Sequence, residues 1–253
     1  MKVLAEKRQQ VILDLLQQDG VVKLQDICNR TTSSESSIRR DLQVLEDQGR
    51  LVRIHGGAKV KQSLQRELDM IGKSTQNISD KQEIAQYVAT LIQDDDVLYL
   101  DAGTTTLALI PFLKHKHRLT VVTNGVEHAA CLADLNIRTF LLGGQLKNTT
   151  KAIVGVEAVR NLANFRFNKA FLGINGIHEK YGLTTPDPEE AEVKRTAIDR
   201  SEQSYVLADA SKFNCVSFTK VAATNVVTII TNQLPDNIKS HFGSNTKIQE
   251  VSL

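Results

Sequence analysis

The sequence predicts an α/β protein with a small, mostly helical N-terminal domain and a larger domain built on a mostly parallel sheet. Apolar residues recur at helical spacing in the first 58 residues and are followed by a short alternating segment. From residue 78 onward, short β-branched runs alternate with helical segments instead. A polar segment with few apolar residues lies between the two patterns. We therefore expect one domain over residues 1–58, a linker over 59–77 and a second domain over 78–253.

Two amphipathic helices are expected first, with apolar stripes at Val11, Ile12, Leu15 and Leu16 and at Leu24, Ile27 and Cys28. The segment SESSIRRDLQVLEDQGRLVRIHGGA, residues 34–58, then predicts a third helix and a hairpin. Ser34 is a good N-cap because its hydroxyl can accept a bond from a first-turn amide. Gly49 occupies the C-terminal cap position. RLVRIHGGA alternates apolar with basic residues before a Gly-Gly turn, which is typical of a short half-buried hairpin.

The third helix has two different faces. Ile38, Leu42 and Leu45 recur at i, i+4 and i+7 and predict a buried stripe. Side chains of the types that read bases and phosphates lie around the rest of the helix: Ser36, Ser37, Arg39, Arg40 and Gln43. In the hairpin, Arg50, Arg53 and His55 can reach the sugar-phosphate backbone. Three helices and a wing predict a winged helix-turn-helix that binds double-stranded DNA, although an exposed arginine pair alone would indicate only a solvated face.

Charge and composition limit the function classes. The net charge of +2 excludes a strongly basic nucleic-acid coat, and residues 1–57 hold nine Lys or Arg against eight Asp or Glu. DNA binding would therefore depend on clustered charge, to which Lys59, Lys61 and Arg66 could add. The three cysteines lie far apart without a C-x-x-C spacing, so we expect buried thiols, no disulfide, no metal and no cofactor. The sequence shows neither a signal-peptide core nor a membrane-length apolar run, which predicts a cytoplasmic protein without a membrane partner.

The second domain alternates strands with helices, the pattern of a Rossmann-like, mostly parallel sheet. Strands are predicted at 97–100, 119–122, 139–142, 170–172, 205–207 and 226–230. Helices are predicted at 80–93, 105–113, 126–135, 156–164 and 189–203.

Small polar residues follow these strands, where ligands collect in such sheets. The first strand ends in DAGTTT, in which Gly103 permits close backbone approach and Thr104, Thr105 and Thr106 offer hydroxyls beside free helix amides. This arrangement suits an anion such as a phosphate, although an N-cap without a ligand has the same sequence. Asn124 and Gly144 follow the next two strands, and the segments 173–177 and 208–213 follow the fourth and fifth. Turn chemistry alone would explain each strand end, but together they predict one convergent pocket.

Charged residues near the later strands could complete that pocket. Glu190 and Lys194 stand at i and i+4 in EEAEVKR, where either they form a surface ion pair or Lys194 or Glu190 turns inward to bind sugar hydroxyls. Lys212 and Lys81 could supply positive charge against a phosphate, although a lone lysine is usually exposed.

The sequence resembles the DeoR family of bacterial sugar-metabolism regulators along nearly its whole length. The resemblance rests on SSIRRDLQVLEDQGRLVRIHGGA followed in order by DAGTTT, VVTN, LLGG, LGINGI, EEAEVKR and ADASKF. DAGTTT with NGI and GLTTP is most similar to fructose-type repressors, whose effector is a phosphorylated hexose such as fructose 1-phosphate. The resemblance implies a sensor domain similar in fold to ribose-5-phosphate isomerase. In that domain Gly103, Thr104 and Thr105 would hold the phosphate, Asp101 and Asn124 would line the pocket, and Asn175, Glu190, Lys194 and Lys212 would face the sugar.

Two functions follow from these observations. The first is an effector-responsive transcription factor, expected to be a repressor and a homo-oligomer, dimer or tetramer, because one recognition helix reads too few base pairs for specificity. The second is a sugar-phosphate isomerase with an extra N-terminal domain. The isomerases that the chain resembles use acidic residues where this sequence has Asn175, an amide that cannot act as a base. Glu190 remains available as a base, so the sequence favours a non-enzyme without excluding the isomerase.

Overall fold

A computed structural model describes residues 5–19, 21–60, 64 and 69–251. The chain divides into two compact units, Met1–Ser63 and Leu64–Leu253. The last N-terminal strand runs to Val60, two residues past the predicted end of that domain. Lys61 and Arg66 lie outside the described residues, as does most of the segment around them. No helix in the described ranges is both long and apolar enough to cross a membrane.

The N-terminal unit is a winged helix-turn-helix, as predicted. Its elements are α1 (Ala5–Asp19), β1 (Val21–Lys23), α2 (Leu24–Thr31), α3 (Glu35–Asp47), β2 (Leu51–Ile54) and β3 (Gly57–Val60). The three strands form an antiparallel sheet in the order β1-β3-β2, in which β1 was not predicted. Ile12, Ile27, Ile38 and Leu45 are fully buried between the helices, so the predicted apolar stripes form the core.

Two local expectations in this unit need correction. The Ser34 hydroxyl caps no amide of α3; its oxygen lies 3.1 Å from Ser36 Oγ and 3.0 Å from Ser37 Oγ. The wing turn is His55-Gly56 rather than Gly-Gly, because Gly57 already pairs within β3. A Cβ on Gly57 would lie 2.1 Å from the Val22 carbonyl oxygen, so glycine permits the close pairing of β1 with β3.

The C-terminal unit contains a seven-stranded sheet in which all neighbouring strands are parallel. The sheet order is β15-β14-β12-β9-β4-β5-β6, with β4 (Val97–Leu100), β5 (Thr120–Thr123), β6 (Arg138–Leu141), β9 (Phe167–Gly173), β12 (Ser201–Leu207), β14 (Thr228–Thr231) and β15 (Lys247–Glu250). The helices are α4 (Met70–Ser74), α5 (Ile78–Leu91), α6 (Thr104–Leu109), α7 (Val126–Asp134), α8 (Val156–Leu162), α9 (Pro188–Asp199) and α10 (Asp236–Lys239). The six predicted strands are all present, and β15 is additional.

Several elements differ from the prediction. The helix expected over 189–203 ends at Asp199, because residues 201–203 pair with β9 in the sheet. Two small antiparallel sheets were not predicted: β7 (Gln145–Lys147) with β8 (Ala152–Val154), and β10 (Gly176–His178) with β11 (Gly182–Thr185) and β13 (Thr219–Ala222). The expectation of buried thiols is wrong for Cys131, which is exposed on α7, and incomplete for the partly exposed Cys28 and Cys215.

The large sheet is buried on both faces. Along β4, Tyr99 contributes to one apolar cluster while Leu98 and Leu100 contribute to another, as the two-residue period of a strand requires. The chain runs outward from β4 through β5 to β6 on one side, and from β9 through β12, β14 and β15 on the other. The order therefore reverses between β4 and β9. Loops at the carboxyl ends of these two strands diverge and leave a crevice, where ligands bind in such sheets.

Candidate DNA-reading face and ligand cavity

The reading face of α3 is open to solvent. Ser36, Arg39 and Arg40 are exposed, and Ser37 and Gln43 are half-buried. The Arg39 guanidinium lies 3.2 Å from Glu35 Oε2, and the Gln43 amide donates to Asp47 at 2.8 Å. Such exposed contacts stabilise a fold very little, so both side chains can exchange them for partners on another molecule.

The wing side chains have different environments. Arg50 and His55 are exposed. Arg53 is also exposed, but its Nε donates to Glu46 Oε2 at 2.8 Å and its backbone amide donates to Glu46 Oε1 at 2.9 Å. The bond from the Arg53 amide, with the guanidinium beside it, lowers the pKa of the Glu46 carboxyl. Arg53 therefore ties the wing to α3.

Asp41 is a residue of this unit that the sequence interpretation missed. It is 3% exposed and accepts bonds from Arg8 Nε at 2.7 Å and Gln9 Nε2 at 3.4 Å. These bonds fix α3 against α1 and so orient the reading face. The available signal was its position, because Asp41 falls three residues after Ile38, on the buried side of the helix.

A cleft of about 610 Å³, counting its opening to solvent, lies at the carboxyl ends of the parallel strands. Most of the predicted effector residues line it together: Lys81, Asp101, Gly103, Thr104, Thr105, Asn175, Glu190, Lys194 and Lys212. The prediction that polar strand ends converge on one pocket thus agrees with the geometry for β4, β9 and β12. Among the described residues, no group of three or more His, Cys, Asp or Glu side chains is arranged to hold a metal ion.

Three predicted residues lie outside the cavity lining, and each has a structural contact. The Thr106 hydroxyl donates to the Asp101 carbonyl oxygen at 2.6 Å. The Asn124 side chain accepts from the Ala102 amide at 2.8 Å and so holds the loop after β4. Gly144 has φ +145°, and a Cβ there would lie 2.7 Å from a backbone carbonyl oxygen. These residues shape the loops around the cavity.

Lys194 and Asp101 form a buried ion pair in the cavity wall. Lys194 Nζ lies 2.5 Å from Asp101 Oδ2, and the two side chains are 5% and 2% exposed. The Gly173 amide donates to the same oxygen at 3.0 Å and thus links β9 to β4. Burial raises the pKa of Asp101, and the Lys194 ammonium opposes that shift.

Glu190 is buried in the same wall. Its Oε1 accepts from Lys147 Nζ at 3.0 Å and from Thr150 Oγ1 at 2.7 Å. Because Glu190 and Lys194 are only 5% and 4% exposed, the surface ion pair considered from sequence is wrong and both residues turn inward.

Ammonium groups gather at another part of the cavity. Lys81 is 7% exposed and donates through Nζ to the Lys73 carbonyl oxygen. Burial lowers the pKa of Lys81 from 10.5 to about 8; Asp209 opposes this shift, and Lys212 and Lys73 reinforce it. An anion placed among these lysines would relieve their mutual repulsion and accept charge-assisted hydrogen bonds.

The cavity also contains residues that the sequence did not single out individually, although some of them lie in strand-end segments that it assigned to the pocket. They are Lys73, Gln76, Asn77, Ala102, Gly173, Ile174, Leu207, Ala208 and Asp209. Asp209 accepts bonds from the Ser211 amide and Asn77 Nδ2, both at 3.0 Å. It lies in ADASKF, which the sequence assigned to the pocket because that segment directly follows a strand. Residues 73–77 offered no signal of this kind, because their sequence pattern predicted a linker.

His128 holds the DAGTTT loop beside the cavity, and the sequence did not predict this role. It is 1% exposed, and its Nε2 lies 3.1 Å from Thr106 Oγ1. Burial lowers the pKa of His128 to about 4, opposed by a hydrogen bond with the Gly103 backbone. The ring is therefore neutral at physiological pH and holds the DAGTTT loop by hydrogen bonding.

Comparisons with known proteins give two family matches, the DeoR-like helix-turn-helix domain over residues 8–64 and the DeoR C terminal sensor domain over residues 76–233. The chain is 43% identical to the "Uncharacterized HTH-type transcriptional regulator FruR" of Bacillus subtilis (strain 168), across 98% of this chain and 99% of that protein. It is 34% identical to the "HTH-type transcriptional repressor GlcR" of the same organism, across 91% and 90%. It is 32% identical to the "Lactose phosphotransferase system repressor" of Staphylococcus aureus (strain N315), across 90% and 92%.

Among solved structures, ribose 5-phosphate isomerase A from Methanocaldococcus jannaschii matches with a TM-score of 0.40 and 16% identity, over 54% of this chain and 55% of that one. The enzyme from Neisseria gonorrhoeae matches with a TM-score of 0.39 and 15% identity, over 57% and 55%. The two family matches account for the helix-turn-helix unit and for most of the parallel-sheet unit, and the similarity to the Bacillus regulator spans nearly the whole chain. The chain belongs to the DeoR family of transcriptional regulators.

Proposed function

We propose that this protein represses a carbohydrate uptake or catabolism operon and leaves its operator when a phosphorylated sugar binds the cavity. The observation that carries the proposal is the cavity itself, in which lysines that suit a phosphate stand beside buried carboxylates that suit hydroxyl groups. An exposed reading face in the other unit supplies the DNA-binding function. The family membership and the two relatives named as repressors support the direction of regulation.

On the DNA side, we assign base and phosphate contacts to the exposed donors of α3 and the wing. Arg39 and Arg40 are the base-reading candidates, because each can donate two hydrogen bonds to a guanine edge. Contacts that position the protein on the duplex come from Ser36, Ser37, Gln43, Arg50, Arg53 and His55. Since one such unit reads too few base pairs for specificity, the active form is a homo-oligomer, either a dimer or a tetramer. The protein acts in the cytoplasm. Sedimentation of the full chain at micromolar concentration tests this assignment.

On the ligand side, Lys81 and Lys212 bind the phosphate together with the amides and hydroxyls of Gly103, Thr104 and Thr105. The sugar hydroxyls contact the groups of the opposite wall, Asp101, Asn175, Glu190 and Lys194. The effector is a hexose phosphate, with fructose 1-phosphate as the first choice. The similarity of DAGTTT, NGI and GLTTP to the motifs of fructose-type repressors supports this choice.

The geometry favours a sensor over an isomerase. Glu190, the remaining base candidate, already accepts hydrogen bonds from Lys147 and Thr150 at Oε1, so this oxygen is held within the cavity wall. Asn175 accepts a bond from Thr185 Oγ1 at 2.9 Å through its Oδ1, and an amide cannot act as a base. The cavity is thus equipped to bind a sugar phosphate rather than to move a carbon-bound proton.

Calorimetry with fructose 1-phosphate, fructose and inorganic phosphate tests the proposal. We expect fructose 1-phosphate to bind and to lower operator affinity, and fructose to bind at least about a hundredfold more weakly, because two charge-assisted bonds would be lost. Equal affinity for the two sugars would contradict the phosphate assignment. Incubation with ribose 5-phosphate is the matching enzyme assay, in which turnover above background would favour the isomerase.

A further inference from the structure

The segment Asp69–Asn77, which sequence reasoning assigned to the linker, forms part of the cavity wall. It contains α4, and three of its residues, Lys73, Gln76 and Asn77, line the cleft. Asp69 caps α4, since its side chain accepts a bond from the Gly72 amide at 2.7 Å. The sensor wall and the connection to the helix-turn-helix unit are therefore one continuous stretch of chain.

The segment is attached to the rest of its unit through cavity groups or their neighbours. At its start, the Met70 amide donates to the Thr149 carbonyl oxygen at 3.0 Å, and the adjacent Thr150 donates to Glu190. At the end of α4, the Lys73 carbonyl oxygen accepts from Lys81 Nζ. The end of α4 is thus bonded directly to a charged side chain of the cavity, and its start is linked to another one through Thr149 and Thr150.

The C-terminal end of the segment is also attached to a residue that lines the cavity. Asn77 has φ +50°, in the left-handed region, and its Nδ2 donates to Asp209 Oδ1 at 3.0 Å. Asp209 lines the cavity together with Lys212, three residues later. Isolated helices of five residues are not stable in water, so α4 depends on its cap and on these tertiary contacts.

We propose, on the basis of the proposed function, that Asp69–Asn77 couples ligand binding to DNA binding. A bound sugar phosphate holds this segment against the strand ends, and the segment held in this way lowers operator affinity. The ligand would bridge Lys73 and Gln76 on the segment to Lys212 and Thr104 on the strand side. It would also fix the side chain of Lys81, which bonds to the end of α4, and that of Glu190, which accepts from the residue next to Thr149. Asp69 is then a positioning residue, because it shapes α4 without lining the cavity.

Substitution at Asp69 tests the coupling, because this exposed side chain can be changed without altering the cavity lining. In Asp69→Ala the cap is lost, whereas Asp69→Asn keeps an equivalent acceptor and serves as the matched control. The readouts on the full chain are the dissociation constant of fructose 1-phosphate by calorimetry and the operator dissociation constant by fluorescence anisotropy, with and without saturating fructose 1-phosphate.

For the wild type we expect the ligand to weaken operator binding by about 5- to 150-fold. In Asp69→Ala this ratio should fall to a third or less, because losing a cap shifts the balance of a short helix by about fivefold. Ligand affinity without DNA should change by less than that, and Asp69→Asn should behave as the wild type. Hydrogen exchange at residues 70–77 should slow when ligand is added to the wild type.

Three results would overturn the inference. The first is a wild-type release ratio in Asp69→Ala, and the second is unchanged hydrogen exchange at residues 70–77 in a wild type that binds ligand. The third is equal loss of coupling in Asp69→Ala and Asp69→Asn, since the cap would then be irrelevant. Failure of the proposed effector is seen separately: a wild type that does not bind fructose 1-phosphate in calorimetry refutes that effector, and this inference with it.

Discussion

The reading face of α3 and the cavity of the sensor unit both gather positive charge, but they hold it in opposite ways. The Arg39 side chain is 64% exposed and pairs with Glu35 one helical turn away at 3.2 Å. The Lys194 side chain is 5% exposed and pairs at 2.5 Å with Asp101, 93 residues away in the chain. An exposed pair contributes little to folding, whereas breaking a buried pair leaves an uncompensated charge.

This difference separates two kinds of function within one chain. Cations on the reading face can leave their surface partners for DNA without a cost in stability. Cations in the cavity are part of the packing that holds β4, β9 and α9 together, so ligand binding must act on a charge network that already exists. Variants of the reading face should therefore affect binding alone, and variants of the cavity should affect binding and stability together.

The largest expected effect is that of Lys194→Met. Removing one partner of a buried ion pair costs about 3–5 kcal/mol of unfolding free energy, and the variant should also lose sugar-phosphate binding. All four tyrosines lie in the unit Leu64–Leu253, so tyrosine fluorescence during urea unfolding reports on this unit. The matched control is Arg160→Met, which removes a 72%-exposed side chain paired with Glu157 and should change stability by less than about 0.5 kcal/mol. Equal effects of the two variants would contradict the contrast between the two kinds of pair.

The next effect concerns the reading face. Arg39→Ala and Arg40→Ala should each weaken operator binding by about 1–3 kcal/mol, the value of a lost bidentate base contact. Because both side chains are exposed, thermal unfolding and sugar-phosphate affinity should match the wild type. Fluorescence anisotropy at matched salt measures the operator affinity. Unchanged affinity in both variants would show that another surface reads the DNA.

A smaller effect is a pH dependence that we expect for ligand binding in the cavity and not for DNA binding by the reading face. Arginine stays charged at every accessible pH, but the pKa of Lys81 is lowered to about 8, chiefly by burial. Between pH 7 and pH 9 the charged fraction of Lys81 falls about tenfold, so fructose 1-phosphate affinity should fall by up to about tenfold. Operator affinity without ligand should not follow this profile. Calorimetry of the wild type and Lys81→Met at both pH values measures it, and an identical pH profile in the variant would assign the titration to another group.

The same lowered pKa has a consequence for stability. Between pH 8 and 10.5 the unfolded chain keeps the proton on Lys81 and the folded chain has released it. The unfolded state then binds more protons, so this residue makes the folded state more stable as the pH rises through that window.

The two regions also differ in how well the sequence predicted them. The reading face follows from helical periodicity, because Ile38, Leu42 and Leu45 define the buried side within one element. Predicted residues line the cavity where they come just after a strand, as Asp101 and Thr104 do after β4. The cavity prediction omitted Lys73 and Asn77, whose place in the wall is set by contacts with Lys81 and Asp209. No local pattern encodes contacts of that kind.

Two adjacent residues of the DAGTTT motif show the same limit of prediction from sequence. Thr105 and Thr106 are neighbours in DAGTTT, yet Thr105 lines the cavity while Thr106 bonds to the Asp101 carbonyl oxygen and lies beside the buried His128. Their sequence environment is nearly identical. Their roles separate only because the helix turns by about 100° from one residue to the next.

The smallest expected effect concerns a neutral buried group, the hydroxyl of Tyr99. The Tyr99 hydroxyl lies in the sheet core and finds no hydrogen-bond partner among the described residues. Burial raises the pKa of Tyr99, and Asp101 and Glu190 reinforce the shift, so the group stays neutral. A buried hydroxyl without a partner retains its full desolvation cost, and Tyr99→Phe removes that cost while keeping the ring. We expect the unfolding free energy to rise by about 1 kcal/mol, measured by urea unfolding with circular dichroism.

The matched control for this change is Tyr205→Phe, which deletes a hydroxyl that donates to Gln203 at 2.9 Å and lies at the half-buried end of the sheet. That variant should lose about 0.5–1 kcal/mol, the value of one such hydrogen bond. Opposite signs for the two tyrosines would show that burial without a partner, rather than the loss of a hydroxyl as such, decides the result. A loss of stability in Tyr99→Phe would contradict this account, because it would mean that the buried hydroxyl stabilises the fold.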